Sequence, residues 1–184
     1  MNTGVVAYRY GKALLKYVQE RGTGEIVYRQ VLLLVQRMSS YEQLKHILEN
    51  RDDVPQQQKK ELMAAAVEET LAPELASFAD LVHSQGRMNF LFRMLNSFIT
   101  QYREANGIIV GRLTTAVPVE GLKEKLEKIF SGRTGASVRL VEDVDENIIG
   151  GFVLELDGCR LDASVEGRLR KIRDELIEKN NRIV

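Results

Sequence analysis

DENIIGGFVLELDGCRLDASVEGRL, residues 145–169, decides how the C-terminal part of the chain folds, because a turn, a strand, a hairpin and a helix start follow one another within it. Asp145, Glu146 and Asn147 make a polar turn. From Ile148 to Leu156 the chain is apolar, with Phe152, Leu154 and Leu156 in strict alternation, which is strand spacing. The pair Gly150 and Gly151 inside that run adds no side chain to a sheet, so it marks a bulge or a place where another backbone comes close. Asp157 and Gly158 are the strongest short-range hairpin signal in the chain, and the return strand runs through Leu161. Asp162 and Ser164 can each accept a hydrogen bond from the free amides of a helix that runs from about Val165.

On that helix Val165, Leu169, Ile172 and Leu176 recur at helical spacing, while Arg168, Arg170, Lys171, Arg173, Asp174 and Glu175 fill the other faces. A stripe this narrow is expected to cover one face of a small sheet, with coiled-coil pairing to another chain as the second reading. Upstream, IIVGRLTTAV from Ile108 is rich in β-branched residues and closes at Pro118. A charged helix follows from Glu120 to Phe130, and a further strand from Ser137 to Val141 lies after Gly132 and Gly135. The order is βαββα, a small α+β domain over residues 106–184 with Asn106 and Gly107 as its hinge.

Before the hinge the period changes from two to 3.6. Val6, Tyr10, Ala13, Leu14 and Tyr17 share one face of a first helix, about Thr3 to Glu20, which Gly22 and Gly24 end. A second helix begins near Glu25 with Val27, Val31, Leu34, Val35 and Met38, and Ser39 and Ser40 are expected to break it and cap a short third one. Arg51 to Val54 read as a polar connection, Pro55 as the first turn of a fourth helix, and Pro73 as the start of a fifth carrying Leu75, Phe78, Leu81 and Val82. Gly86 ends the fifth, and a sixth from about Arg87 to Ala105 is the most apolar. The fold class is therefore mainly α, an N-terminal six-helix bundle over residues 1–105 followed by the α+β domain.

Composition narrows the function. A hydrophobic share of 44% supports real cores, and 26 basic residues against 26 acidic ones remove the long-range positive field that nucleic-acid binders use. The single cysteine, Cys159, fits a reducing compartment and occupies a strand position where a small buried residue is expected. No secretory leader and no apolar run of transmembrane length is legible. There is no glycine-rich phosphate loop, His46 and His83 stand on different helices without ligand partners, and Asp143 and Asp145 read as solvated turn residues. No catalytic, cofactor or metal site is expected.

Three segments carry a resemblance. Tyr10-Gly11-Lys12-Ala13-Leu14 lies near the start and Gly86-Arg87-Met88 before the sixth helix; Val144-Asp145, Ile149-Gly150-Gly151 and Asp162-x-Ser164-Val165-x-Gly167-x-Leu169 close the chain. In order and spacing they resemble the delta subunit family of the F-type ATP synthase, the bacterial relatives of the mitochondrial oligomycin-sensitivity-conferring protein, with Gly11 where alanine is usual. The resemblance implies a peripheral stalk, or stator, subunit with no catalytic activity. It also implies a helical domain that binds the N-terminal helices of alpha subunits on the catalytic head through its first and fifth helices, and a smaller domain that binds the C-terminal ends of the b subunits. On that reading the protein is a monomer within the complex, on the cytoplasmic side of the bacterial cytoplasmic membrane, and reaches the membrane only through other subunits. Tyr8, Tyr10, Leu14, Phe78 and Val82 are the residues to examine for the head contact, and periodicity leaves open which line a groove and which fill the core. Competing readings are a helical adaptor of another complex, a small enzyme with its site between the domains, and an RNA-binding protein that uses the Arg-rich last helix.

Overall fold

The computed structural model describes residues 3–50 and 54–181; of the polar connection expected at Arg51 to Val54, residues 51–53 lie outside the described residues. The chain is mostly helical, with one small sheet, and divides into two compact units, Met1–Asn106 and Gly107–Val184.

The first unit contains α1 (Thr3–Arg21), α2 (Gly24–Ser40), α3 (Glu42–Glu49), α4 (Gln56–Val67), α5 (Pro73–Ser84), a 3-10 turn at Met88–Phe90 and α6 (Leu91–Ala105). Their apolar stripes meet in one core, in which Leu14, Leu34, Leu75, Leu91, Leu95 and Phe98 are fully buried. Pro73 occupies the first turn of α5, where its missing N–H has no helical partner to lose. Ser39 and Ser40 do not cap α3: both lie inside α2, and the Ser39 hydroxyl donates back to the Val35 carbonyl at 2.9 Å. A hydroxyl engaged with its own helix is no longer free for the next helix's amides. Tyr41, in extended backbone, makes the break instead.

Helices α1 and α6 approach closely at Gly11. A Cβ there would stand 2.8 Å from the Phe98 backbone nitrogen and 3.0 Å from the Ser97 carbonyl carbon. One buried amide ties the loop before α5 to α2: Gln30 Nε2 donates to the Thr70 carbonyl and its Oε1 accepts from the Ala72 N–H, both at 2.9 Å. A buried amide with both ends used avoids the desolvation penalty of an orphan group.

The second unit contains β1 (Ile108–Thr115), α7 (Leu122–Thr134), β2 (Ser137–Val144), a 3-10 turn at Glu146–Ile148, β3 (Phe152–Leu156), β4 (Cys159–Asp162) and α8 (Val165–Asn181). The strand order is β2-β1-β3-β4, with β1 parallel to β2 across α7 and the other neighbours antiparallel. Leu113, Val138, Leu140 and Leu154 bury one sheet face under Leu122, Leu126 and Phe130 of α7. Asp157 and Gly158, both at positive φ, turn the β3–β4 hairpin.

Three expectations change. The strand begins at Phe152, not Ile148, because Ile149 (φ 68°, ψ −39°) and Gly151 (φ 77°) cannot continue an extended chain. Gly150 donates to the Ile148 carbonyl at 2.8 Å, closing a three-residue γ-turn around Ile149. Cys159 is exposed, because β4 is a four-residue edge strand with every residue open to solvent. The helix that covers the sheet is α7, while α8 leans mainly on the short turn at Glu146–Ile148.

Candidate partner-binding surfaces

In the first unit a groove of about 370 Å³ runs along α1 and is lined by Val6, Arg9, Tyr10, Ala13, Leu81 and Arg87. The two helices that flank it meet where the Tyr10 and Phe78 rings pack edge to face, with centroids 6.4 Å apart. Arg87 closes one end. Its Nη1 donates to the Tyr10 hydroxyl at 2.8 Å, and its guanidinium carbon lies 5.5 Å from the Tyr10 ring centre.

Of the five residues singled out for a head contact, Tyr10 alone lines this groove. Leu14, Phe78 and Val82 are buried and resolve to the core reading. Tyr8 is exposed on another side of α1, with Lys12 Nζ 6.0 Å from its ring centre and its carbonyl held by Gln101 Nε2 at 3.1 Å. Residues two apart on a helix do not share a face, so Tyr8 and Tyr10 could not both serve one groove. Leu81 is the α5 groove residue that sequence reading did not single out. Its signal was an apolar position on α5 that stays 46% exposed once the core is filled.

In the second unit the closing motif builds a platform for α8. Asp145 Oδ1 accepts from the Asn147 N–H at 3.0 Å and starts the short turn. The Gly150 carbonyl accepts from the Val165 N–H at 2.9 Å, and a Cβ at Gly151 would collide with the Ala163 carbonyl. Asp162 Oδ1 accepts from both the N–H and the hydroxyl of Ser164, at 3.0 and 2.5 Å. Ser164 Oγ in turn accepts from the Gly167 N–H at 2.9 Å, a helix cap three residues in. A Cβ at Gly167 would stand 2.7 Å from both Asp162 carboxylate oxygens, so the motif needs glycine there. The two Ser164 hydrogen bonds, with Arg160 and Lys171 nearby, hold the Asp162 carboxyl below its ordinary value.

The platform leaves an apolar edge open. Val165, Leu169, Ile172 and Leu176 of α8 are all exposed, as is Ile149 on its γ-turn at 63%. A β-branched residue held at positive φ with its side chain in solvent is a strained position of the kind found at contact sites. A wider hollow of about 570 Å³ on the same unit includes Arg112, Glu155, Cys159 and Arg160, but Arg160 pairs with Glu155 at 3.6 Å and Arg112 with Asp143 at 3.7 Å. Among the described residues no group of three or more His, Cys, Asp or Glu could hold a metal ion, and no helix is long and apolar enough to cross a membrane.

Residues 6–176 match the family described as ATP synthase delta (OSCP) subunit. The chain belongs to that family. It is 34% identical over 185 residues to the ATP synthase subunit delta of Phocaeicola vulgatus and 33% identical over 187 residues to that of Bacteroides fragilis, in each case across the full length of both chains. The Lactobacillus acidophilus subunit delta is 30% identical and covers 95% of this chain and 96% of its own. A chain in the cryo-EM structure of the Toxoplasma gondii mitochondrial ATP synthase hexamer has the same fold, with a TM-score of 0.62 at 20% identity over 93% of this chain and 97% of that one. Within the family motifs, Gly86 takes a positive φ of 65° just after α5, and Arg87, Asp145, Gly150, Gly151, Asp162, Ser164 and Gly167 have the contacts described above, whereas Val165 and Leu169 face solvent.

Proposed function

We propose that the protein is the delta subunit of an F-type ATP synthase, a non-catalytic stator that ties the catalytic head to the peripheral stalk. The observation that carries this reading is the family match over residues 6–176, with bacterial relatives named ATP synthase subunit delta along the whole chain. Helices α1–α6 act as one bundle whose α1/α5 groove receives the N-terminal helices of alpha subunits. The second unit receives the C-terminal helices of the b subunits on the open edge made by Ile149 and the α8 stripe. An amphipathic helix laid into such a groove is a recurrent way to join proteins without chemistry. The subunit acts as a monomer, on the cytoplasmic side of the bacterial cytoplasmic membrane, and is held there by its partners.

Two modest contacts on one chain hold more firmly than either alone, because binding of one end raises the effective concentration of the other. A stator under torque depends on slow release, and linkage of this kind supplies it. The test is to strip the subunit from membranes of its own organism and add back the purified protein. Restored ATP-driven proton pumping is expected. If ATP hydrolysis persists and pumping does not return with intact protein, the stator reading fails. Protein cut near Asn106 is expected to restore pumping poorly even where each half still binds.

A further inference from the structure

The α1/α5 groove carries two positive charges and no negative one. Arg87 is half-buried at its end and Arg9 is exposed at its rim. Among the described residues neither guanidinium is paired with a carboxylate, whereas Arg29, Arg37 and Lys60 of the same unit pair with Glu69, Glu68 and Asp80. Between the two arginines the lining is Val6, Ala13 and Leu81, an apolar strip. The groove thus combines a floor suited to a helix face with cations that the described residues leave without counter-charge.

We propose that this groove takes an amphipathic helix bearing a carboxylate opposite Arg87, and that this ion pair sets the register and selectivity of the contact. The inference rests on the reading that the groove is where the N-terminal helix of an alpha subunit docks. A guanidinium has five N–H donors, and the Tyr10 hydroxyl occupies one, which leaves an edge for a bidentate acceptor. The hydrogen bond and ring contact to Tyr10 hold the fork in place, so little side-chain freedom remains to be lost when a carboxylate arrives. When a helix covers the groove, Arg87 loses water. A neutral or basic residue opposite it then leaves a charge buried without a partner, and that penalty rejects wrong helices and wrong registers. Arg9, at the wet rim, acts on the rate of encounter more than on the lifetime of the complex.

The test is calorimetric and stopped-flow titration of the full chain with a synthetic peptide covering the N-terminal segment of the cognate alpha subunit. Peptides in which each Glu or Asp is changed in turn to Gln or Asn complete the set. Arg87→Gln is expected to weaken binding by about tenfold or more, and one amide peptide is expected to lose as much against the wild-type chain but nothing further against Arg87→Gln. Arg87→Lys, which keeps the charge without the fork, is expected to fall between. Arg9→Gln, at an exposed site that leaves folding intact, is expected to slow association and flatten its salt dependence. Wild-type affinity in Arg87→Gln, or no peptide carboxylate coupled to Arg87, overturns the ion pair.

Leu81→Asp separates that failure from failure of the groove itself. If Leu81→Asp loses binding while Arg87→Gln does not, the groove stands and the ion pair falls. If Leu81→Asp binds as well as wild type, or the wild-type chain does not bind the peptide, the groove reading falls and this inference with it.

Discussion

Leu14 on α1 and Leu169 on α8 belong to stripes of the same kind, yet Leu14 is 1% exposed and Leu169 is 54% exposed. Their neighbours follow them: Val18 is fully buried, and Ile172 is about half open. For α1 the covering surfaces, α2, α5 and α6, come from the same unit. For α8 the unit supplies one short turn, because α7 already covers the sheet. Helical periodicity states that a face will be buried and does not state against what. On the proposed function, the apolar stripe that the second unit leaves uncovered is the surface for another chain.

The sharpest way to break this comparison is a matched pair of truncations. Leu14→Ala is expected to destabilise the first unit by about 2–5 kcal/mol, because it removes buried atoms and leaves a cavity. Leu169→Ala is expected to leave the free protein within about 0.5 kcal/mol of wild type while weakening the proposed b-subunit contact. Urea unfolding of the two variants and a pull-down of the second measure both halves. Equal destabilisation would mean that the α8 stripe is covered in solution.

The α8 start offers the next largest effect. Ser164→Ala removes the hydroxyl that accepts the Gly167 N–H and leaves Asp162 without one of its two donors. A loss of about 1–2 kcal/mol is expected, confined to the second unit, with faster amide exchange in the first turn of α8. Gly11 makes the contrasting case in the first unit. Alanine there raises helix propensity by about 1 kcal/mol but brings a Cβ to 2.8 Å from the Phe98 nitrogen, and overpacking of that kind costs about 1–3 kcal/mol. Gly11→Ala is thus expected to destabilise by about 1 kcal/mol, read as a lower urea midpoint. A stabilised variant would show that α1 and α6 have room to separate.

What was legible in the sequence follows the same line between local and non-local causes. The β3–β4 hairpin and the Ser164 cap were readable because their residues act on near neighbours in the chain, the farthest hairpin pair being Val153 and Asp162. The γ-turn at Ile149 was not, since a β-branched residue at positive φ contradicts its own propensity, and the next two residues are held from a distance, Gly150 by the Val165 N–H and Gly151 by the close approach of the Ala163 carbonyl. Cys159 was misjudged for a related reason: burial depends on which element arrives to cover a position. Arg87 was visible as part of a motif, but its pairing with Tyr10, 77 positions away, belongs to the packing of α1 against the chain that follows α5.

The smallest effect concerns pH and again separates the two units. Asp162 accepts two hydrogen bonds from Ser164, and these favour the ionised carboxyl in the folded protein over the unfolded one. A carboxyl lowered in this way contributes stability that is complete above its unfolded value of about 4 and is lost as the pH falls through the lowered folded value. The α8 start should therefore loosen below about pH 4, ahead of any change in the buried α1 face, which has no comparable group at Leu14 or Val18. Because other carboxyls also titrate there, the measurement is the difference between wild type and Asp162→Asn in α8 amide exchange from pH 5 downward. The gap between them should close as the pH falls, since protonation takes from the wild type what the substitution has already removed. A constant gap would assign the role of Asp162 to its shape beside Gly167, with its charge irrelevant.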